Sequence, residues 1–223
     1  MMSITQTVDF SDLFSEDIRK ELQRQLDSIL PLHKQKTNSE ISTQNDYKSI
    51  ASILESNEEL ATTGLIELFN TLFIDYHVQL IRGEGEPEYH PATPFRLARI
   101  EFAHGFFASA LHEISHWCIA GHNRRKLADF GYWYAADGRT LPQQQAFEQV
   151  EIKPQAIECL FTLACRRDFQ VSTDNLFATY DTSWSHFSID VYRQAKSYLD
   201  HPESLPLDAQ RLLHALLKLD AVS

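Results

Sequence analysis

Disulfide pairs, basic clusters and long apolar runs are all missing from this sequence, and each absence removes a class of protein. Only three cysteines occur, Cys118, Cys159 and Cys165, and no two of them form a C-x-x-C pair. An odd, scattered set cannot close a disulfide framework, so the pattern is that of a reducing compartment. Lys and Arg total 20 against 31 Asp and Glu, a formal net charge of -11. Gripping phosphate backbones needs clustered cations, so direct nucleic-acid binding is not expected. The acidic balance suits a small-molecule enzyme, or one whose target carries a cationic group. No stretch reaches the roughly 18 apolar residues that span a bilayer. The opening segment, MMSITQTVDFSDLFSED, is polar and acidic, without the basic n-region and apolar run of a signal peptide. The expectation is a cytoplasmic protein with no membrane association.

What is present is globular: 43% hydrophobic and 23% charged residues over 223 positions, enough for one domain with a real core. Residues 10 to 30 carry Phe10, Leu13, Phe14, Ile18, Leu22, Leu26 and Ile29 at helical spacing, with Ser11 or Ser15 as caps. Residues 31 to 49 are polar and read as a linker. Residues 1 to 50 therefore form an amino-terminal helix and linker extension, and 51 to 223 the main domain. In that domain an apolar helix (Leu60 to Phe73) precedes a strand in HVQLIRG, and RLARIEFAH reads as a second strand. Between them, GEGEPEYHPATP reads as a loop because Gly83, Gly85, Pro87, Pro91 and Pro94 punctuate it. Helices are expected over 106 to 120 and about 145 to 167, the latter containing Pro154 as a kink or restart, and two more run to about Leu219. The fold class is α+β: helix-rich, with a small sheet.

The chemistry concentrates in ALHEISHWCIAGHNRR, residues 110 to 125. His112 and His116 are four apart, so a helix puts both imidazoles on one face. Their neighbours are apolar or small, including Phe107, Ala110, Leu111, Ile114 and Trp117. Burying two imidazoles and the Glu113 carboxylate there costs several kcal/mol unless they are paired or metallated. The pattern therefore reads as a metal site.

The third ligand is open between two sources. His122 sits at the last position of the long zinc-protease pattern HExxHxxGxxH, but the glycine of that pattern is replaced by Ile119, and Gly121 comes two residues later. The other source is AFEQVEIKPQAIE, where Glu148, Glu151 and Glu158 are spaced to share one helix face. Two histidines and a carboxylate around zinc support hydrolysis, with Glu113 as general base. The same set around ferrous iron is the facial triad of oxygenases.

Four segments taken together carry more than spacing: IRGEGEPEYHPA, IEFAHGFFASALHEISHWCIAG, ADFGYWYAADGR and FEQVEIKPQAIE. With HEISHW, DFGYWY and VEIKPQA in that order, the chain resembles the bacterial elongation factor P hydroxylase family over about residues 60 to 190. That resemblance implies a fold similar to the metal-dependent bacterial rRNA-maturation ribonucleases. It also implies hydroxylation of the β-lysyl-modified lysine of elongation factor P. The metal implied is Fe(II), with zinc or another divalent ion possible in purified protein, and its ligands fall on His112, His116 and Glu151. Glu113 then becomes a partner of a ligand or of metal-bound water rather than a hydrolytic base. A long cationic substrate calls for carboxylates and aromatic faces: Glu86 with Glu84 and Glu88, Asp129, Asp137, and Tyr132 with Trp133 and Tyr134. No 2-oxoglutarate-binding signature is evident, Arg99 being the one strand-borne arginine that could serve in it, and Arg124 and Arg125 are placed to cap the metal helix. The alternatives from other classes are a zinc-dependent peptidase or ribonuclease, and an interaction module with a closed structural metal.

Overall fold

A computed structural model describes residues 8–30, 57–131, 138–173 and 186–220. The boundary near residue 50, the linker, and Tyr132, Trp133, Tyr134 and Asp137 lie outside the described residues. After a 3-10 turn at Ser11–Phe14, α1 spans Glu16–Ile29, and its Ser15 cap accepts the Ile18 amide at 3.4 Å. Helix α2 (Glu58–Leu72) leads to β1 (Val78–Arg82), β2 (Glu88–His90) and β3 (Ala98–Phe102). Then come α3 (Phe107–Arg124), α4 (Leu141–Ala164), α5 (Phe187–Asp200) and α6 (Leu207–Asp220). The class is α+β, six described helices and a small mixed sheet. No helix among the described residues is long and apolar enough to cross a membrane.

The sheet order is β1-β3-β2, with β1 parallel and β2 antiparallel to β3. Residues 88–90, expected as loop, form this third strand. Proline and glycine flank them, yet Tyr89 pairs with Ile100, stacks on Phe130 with ring centres 4.1 Å apart, and its hydroxyl donates to the Arg125 carbonyl at 2.7 Å. Those partners are distant in sequence, so local punctuation does not show them. The free edge of β1 is covered: Leu80 donates its amide to Asn70 Oδ1 at 2.7 Å and accepts from Asn70 Nδ2 at 3.3 Å. A side-chain amide from α2 thus stands in for the missing neighbour strand. On β3, Ala98, Ile100 and Phe102 face the helices, while Arg99 and Glu101 face outward.

Helices α3 and α4 pack antiparallel through the middle of the molecule. Their opposite ends are tied by Glu58 at the start of α2, which accepts the Phe107 amide at 2.9 Å and the Arg167 guanidinium at 2.6 Å. Arg167 also lies 4.1 Å over the Phe107 ring. Helix α4 runs unbroken through Pro154, so the expected restart does not occur. Proline removes one helical hydrogen bond, and the carbonyl left over belongs to Val150, a residue on the solvent side. Leu22 and Leu26 of α1 are buried in the same core, and α1 lies against α6, where Asp27 meets His214 at 2.7 Å.

Gly121 breaks α3 with φ 63 and ψ 176. Only glycine visits that region without strain. The break turns the last residues so that Arg125 lies 3.4 Å over the Trp117 ring, donates to the Trp117 carbonyl and pairs with Asp208 at 2.6 Å. Arg124 donates to the Phe130 carbonyl. Gly121→Ala is expected to lower stability by about 1–3 kcal/mol, the cost of holding an alanine in that region, read as a lower denaturant midpoint. An unchanged midpoint would show that the break is soft.

Candidate metal centre

Two helices supply one cluster. His112 and His116, one turn apart on α3, aim their Nε2 atoms at the same space, 3.1 Å from each other. Glu151 of α4 enters from across the helix pair, with Oε1 3.2 Å from His116 Nε2 and Oε2 3.6 Å from His112 Nε2. One donor atom from each of the three lies within 4.8 Å of the other two. Glu151 is 3% exposed, and its Oε2 makes no hydrogen bond. An unsatisfied buried acceptor costs about 1–3 kcal/mol, and more when charged. Two imidazole nitrogens and an orphaned carboxylate oxygen converging on one point are a donor set a divalent cation fits.

The electrostatics point the same way. Burial disfavours charge on His112, but Glu158, then Glu151 and Glu113, outweigh it and push its pKa up to about 10. Burial likewise works against a charged Glu151, yet His116 and His112 prevail and hold it at about 2. Glu113 is pushed upward, chiefly by burial, with the two imidazoles pulling the other way. Without a cation, protons on imidazole take the positive role that a metal would fill.

The remaining candidates are placed elsewhere. His122 is exposed beyond the break at Gly121 and is not in the cluster. A turn two residues later than in the protease pattern sends the chain outward. Glu148 accepts from Gln144 at 3.2 Å and is also outside the cluster. Glu84, Glu86 and Glu88 are exposed, and Asp129 spends Oδ1 on the Tyr89 amide at 2.9 Å. Arg99 faces Glu101 at 3.1 Å on the outer side of the sheet.

Sequence reasoning weighed Glu158 only as a ligand. It lies instead on the far side of His112, with Oε2 2.8 Å from Nδ1. Its seven-residue spacing from Glu151 was the visible signal. The same face of α4 carries Gln155, which exchanges two hydrogen bonds with the Ser172 backbone, and Gln144, which donates to the Thr173 carbonyl. These amides latch the segment at Ser172 and Thr173 along the helix that carries Glu151, a wall that no local pattern announced.

A sequence model described as elongation factor P hydroxylase matches residues 68–220, which takes in the sheet and both helices of the cluster. The chain belongs to the elongation factor P hydroxylase family. A relative from Haemophilus influenzae, named elongation factor P lysine hydroxylase, is 43% identical over 157 residues, covering 69% of this chain and 85% of that protein. The family match begins inside α2, so α1 lies outside it.

Proposed function

We propose that this protein hydroxylates the β-lysyl-modified lysine of elongation factor P at an Fe(II) centre held by His112, His116 and Glu151. The observation that carries the metal is the buried Glu151 carboxylate, whose Oε2 makes no hydrogen bond and lies 3.6 Å from His112 Nε2 while its Oε1 lies 3.2 Å from His116 Nε2. Family membership and the name of the Haemophilus influenzae relative support the reaction and the protein substrate. Ferrous iron in such a two-histidine, one-carboxylate set supplies dioxygen activation against an unactivated C–H bond.

The chain's own residues do the rest. His112 and His116 stay partly exposed, with 26% and 17% of their side chains accessible, and Glu151 supplies negative charge where it is buried. Glu113, beside His112, holds a proton or a water near the centre. Glu86, Asp129 and Asp137 supply carboxylates for a cationic side chain, and Tyr132 an aromatic face worth about 0.5–2 kcal/mol to an ammonium group. The partner is a protein, and neither nucleic acid nor membrane is required. The protein acts in the cytoplasm, with residues 1–50 as an extension to the hydroxylase domain at 51–223.

Purified protein, ferrous iron, dioxygen, a chemical reductant and β-lysylated elongation factor P form the decisive mixture. Mass spectrometry should find one added oxygen atom on the modified lysine. Active, iron-loaded protein that never adds it overturns the proposal, and peptide or RNA cleavage with zinc would favour the hydrolase reading instead.

A further inference from the structure

We infer that Glu158 is a positioning residue that holds His112 in one tautomer and one ring orientation, with the proton on Nδ1 and the lone pair of Nε2 turned into the cluster. This rests on the reading that His112, His116 and Glu151 hold a divalent metal. A neutral imidazole has one N–H and one lone pair, and an ionised carboxylate can only accept. With Glu158 Oε2 2.8 Å from Nδ1, one proton belongs on Nδ1, so the proton that a metal displaces is the one on Nε2. That Nε2 is the atom 3.1 Å from His116 Nε2 and 3.6 Å from Glu151 Oε2. Rotating the ring by half a turn about its bond to Cβ would break the Glu158 contact and withdraw Nε2 together.

The helix geometry makes the arrangement stiff. Glu151 and Glu158 are seven residues apart on α4, two turns along the same face. One side chain reaches the metal side of His112 and the other its far side, so a single rigid helix brackets the imidazole. Glu158 is 8% exposed, so water does not compete freely for Nδ1. The sequence-level alternative, Glu158 as a ligand, fails on this geometry because its oxygen sits at the nitrogen pointing away from the cluster.

Cobalt(II), whose visible absorption reports ligand number and geometry, provides the test. It would be titrated into the full chain and into Glu158→Ala and Glu158→Gln. Alanine should weaken cobalt binding about 10–100-fold, the usual loss when an outer partner of a metal-bound histidine is removed. Glutamine should recover most of the affinity and the wild-type spectrum, because its amide oxygen still accepts the Nδ1 proton once metal occupies Nε2. A purely charge-based effect would leave glutamine as poor as alanine, and that result overturns the inference. So does an alanine variant with wild-type affinity and spectrum. Nitrogen NMR of the zinc-loaded protein should show His112 protonated at Nδ1; protonation at Nε2 contradicts the inference even if a variant fails to fold. Wild-type protein that takes up no cobalt or zinc overturns the metal reading itself, and this assignment with it.

Discussion

Alanine at His116 is expected to lower divalent-metal affinity by more than about 100-fold, beyond the 10–100-fold range of an outer partner, and to abolish hydroxylation. Glu151→Ala should do the same. The reason is geometric: His116 Nε2 lies 3.1 Å from His112 Nε2 and 3.2 Å from Glu151 Oε1, so removing any one member leaves two donors for an ion that needs at least three from protein. Glu148→Ala and His122→Ala are the controls. Both residues were candidates for the same role by spacing, and both lie outside the cluster. They should leave affinity unchanged in a metal titration followed by chelator competition. Metal loss in His122→Ala with full retention in Glu151→Ala would transfer the third ligand to the exposed end of α3.

Opposite pH responses of the metal-free and metal-loaded protein form the second large effect. His112 is raised from an ordinary 6.5 to about 10, so its stabilising contribution is complete below about pH 6.5 and is lost as pH rises through about 10. Glu151 is depressed from 4.5 to about 2, so its contribution is complete above about pH 4.5 and is lost as pH falls through about 2. From this cluster the metal-free protein gains most between those limits, about pH 4.5 to 6.5. A metal needs His112 unprotonated at Nε2 and so displaces a proton. Affinity should rise about tenfold per pH unit from about 6.5 towards 10, one proton per ion. Unfolding midpoints with chelator and with metal, and binding heats in two buffers of different ionisation enthalpy, measure both halves. A metal affinity flat between pH 7 and 9 would show that no such proton is displaced.

The legible and illegible parts of this protein separate by the range of the interaction that decides them. His112 and His116 are visible because one helical turn is a local rule. Glu148, Glu151 and Glu158 are visible as a shared face for the same reason, but spacing cannot choose among them. The antiparallel register of α3 against α4 sets Glu151 opposite His116 and Glu158 against the back of His112. The resemblance to the hydroxylase family points to Glu151, whereas nothing local distinguishes Glu158, which lies behind His112. Strand β2 was hidden because Pro87 and Pro91 flank Glu88–His90, while Ile100 and Phe130, which hold Tyr89, are distant in sequence. The amphipathic face of α1 announces that it docks, yet only the fold shows α6 as the surface it meets.

The most direct test of the iron-centred account is the metal that the protein carries when purified without oxygen or chelator from iron-replete cells. Elemental analysis is expected to find about one iron per wild-type chain and almost none in the Glu151→Ala variant, following the three-donor set. Zinc at full occupancy, with no iron and no oxygen added to β-lysylated elongation factor P after iron reconstitution, would contradict it.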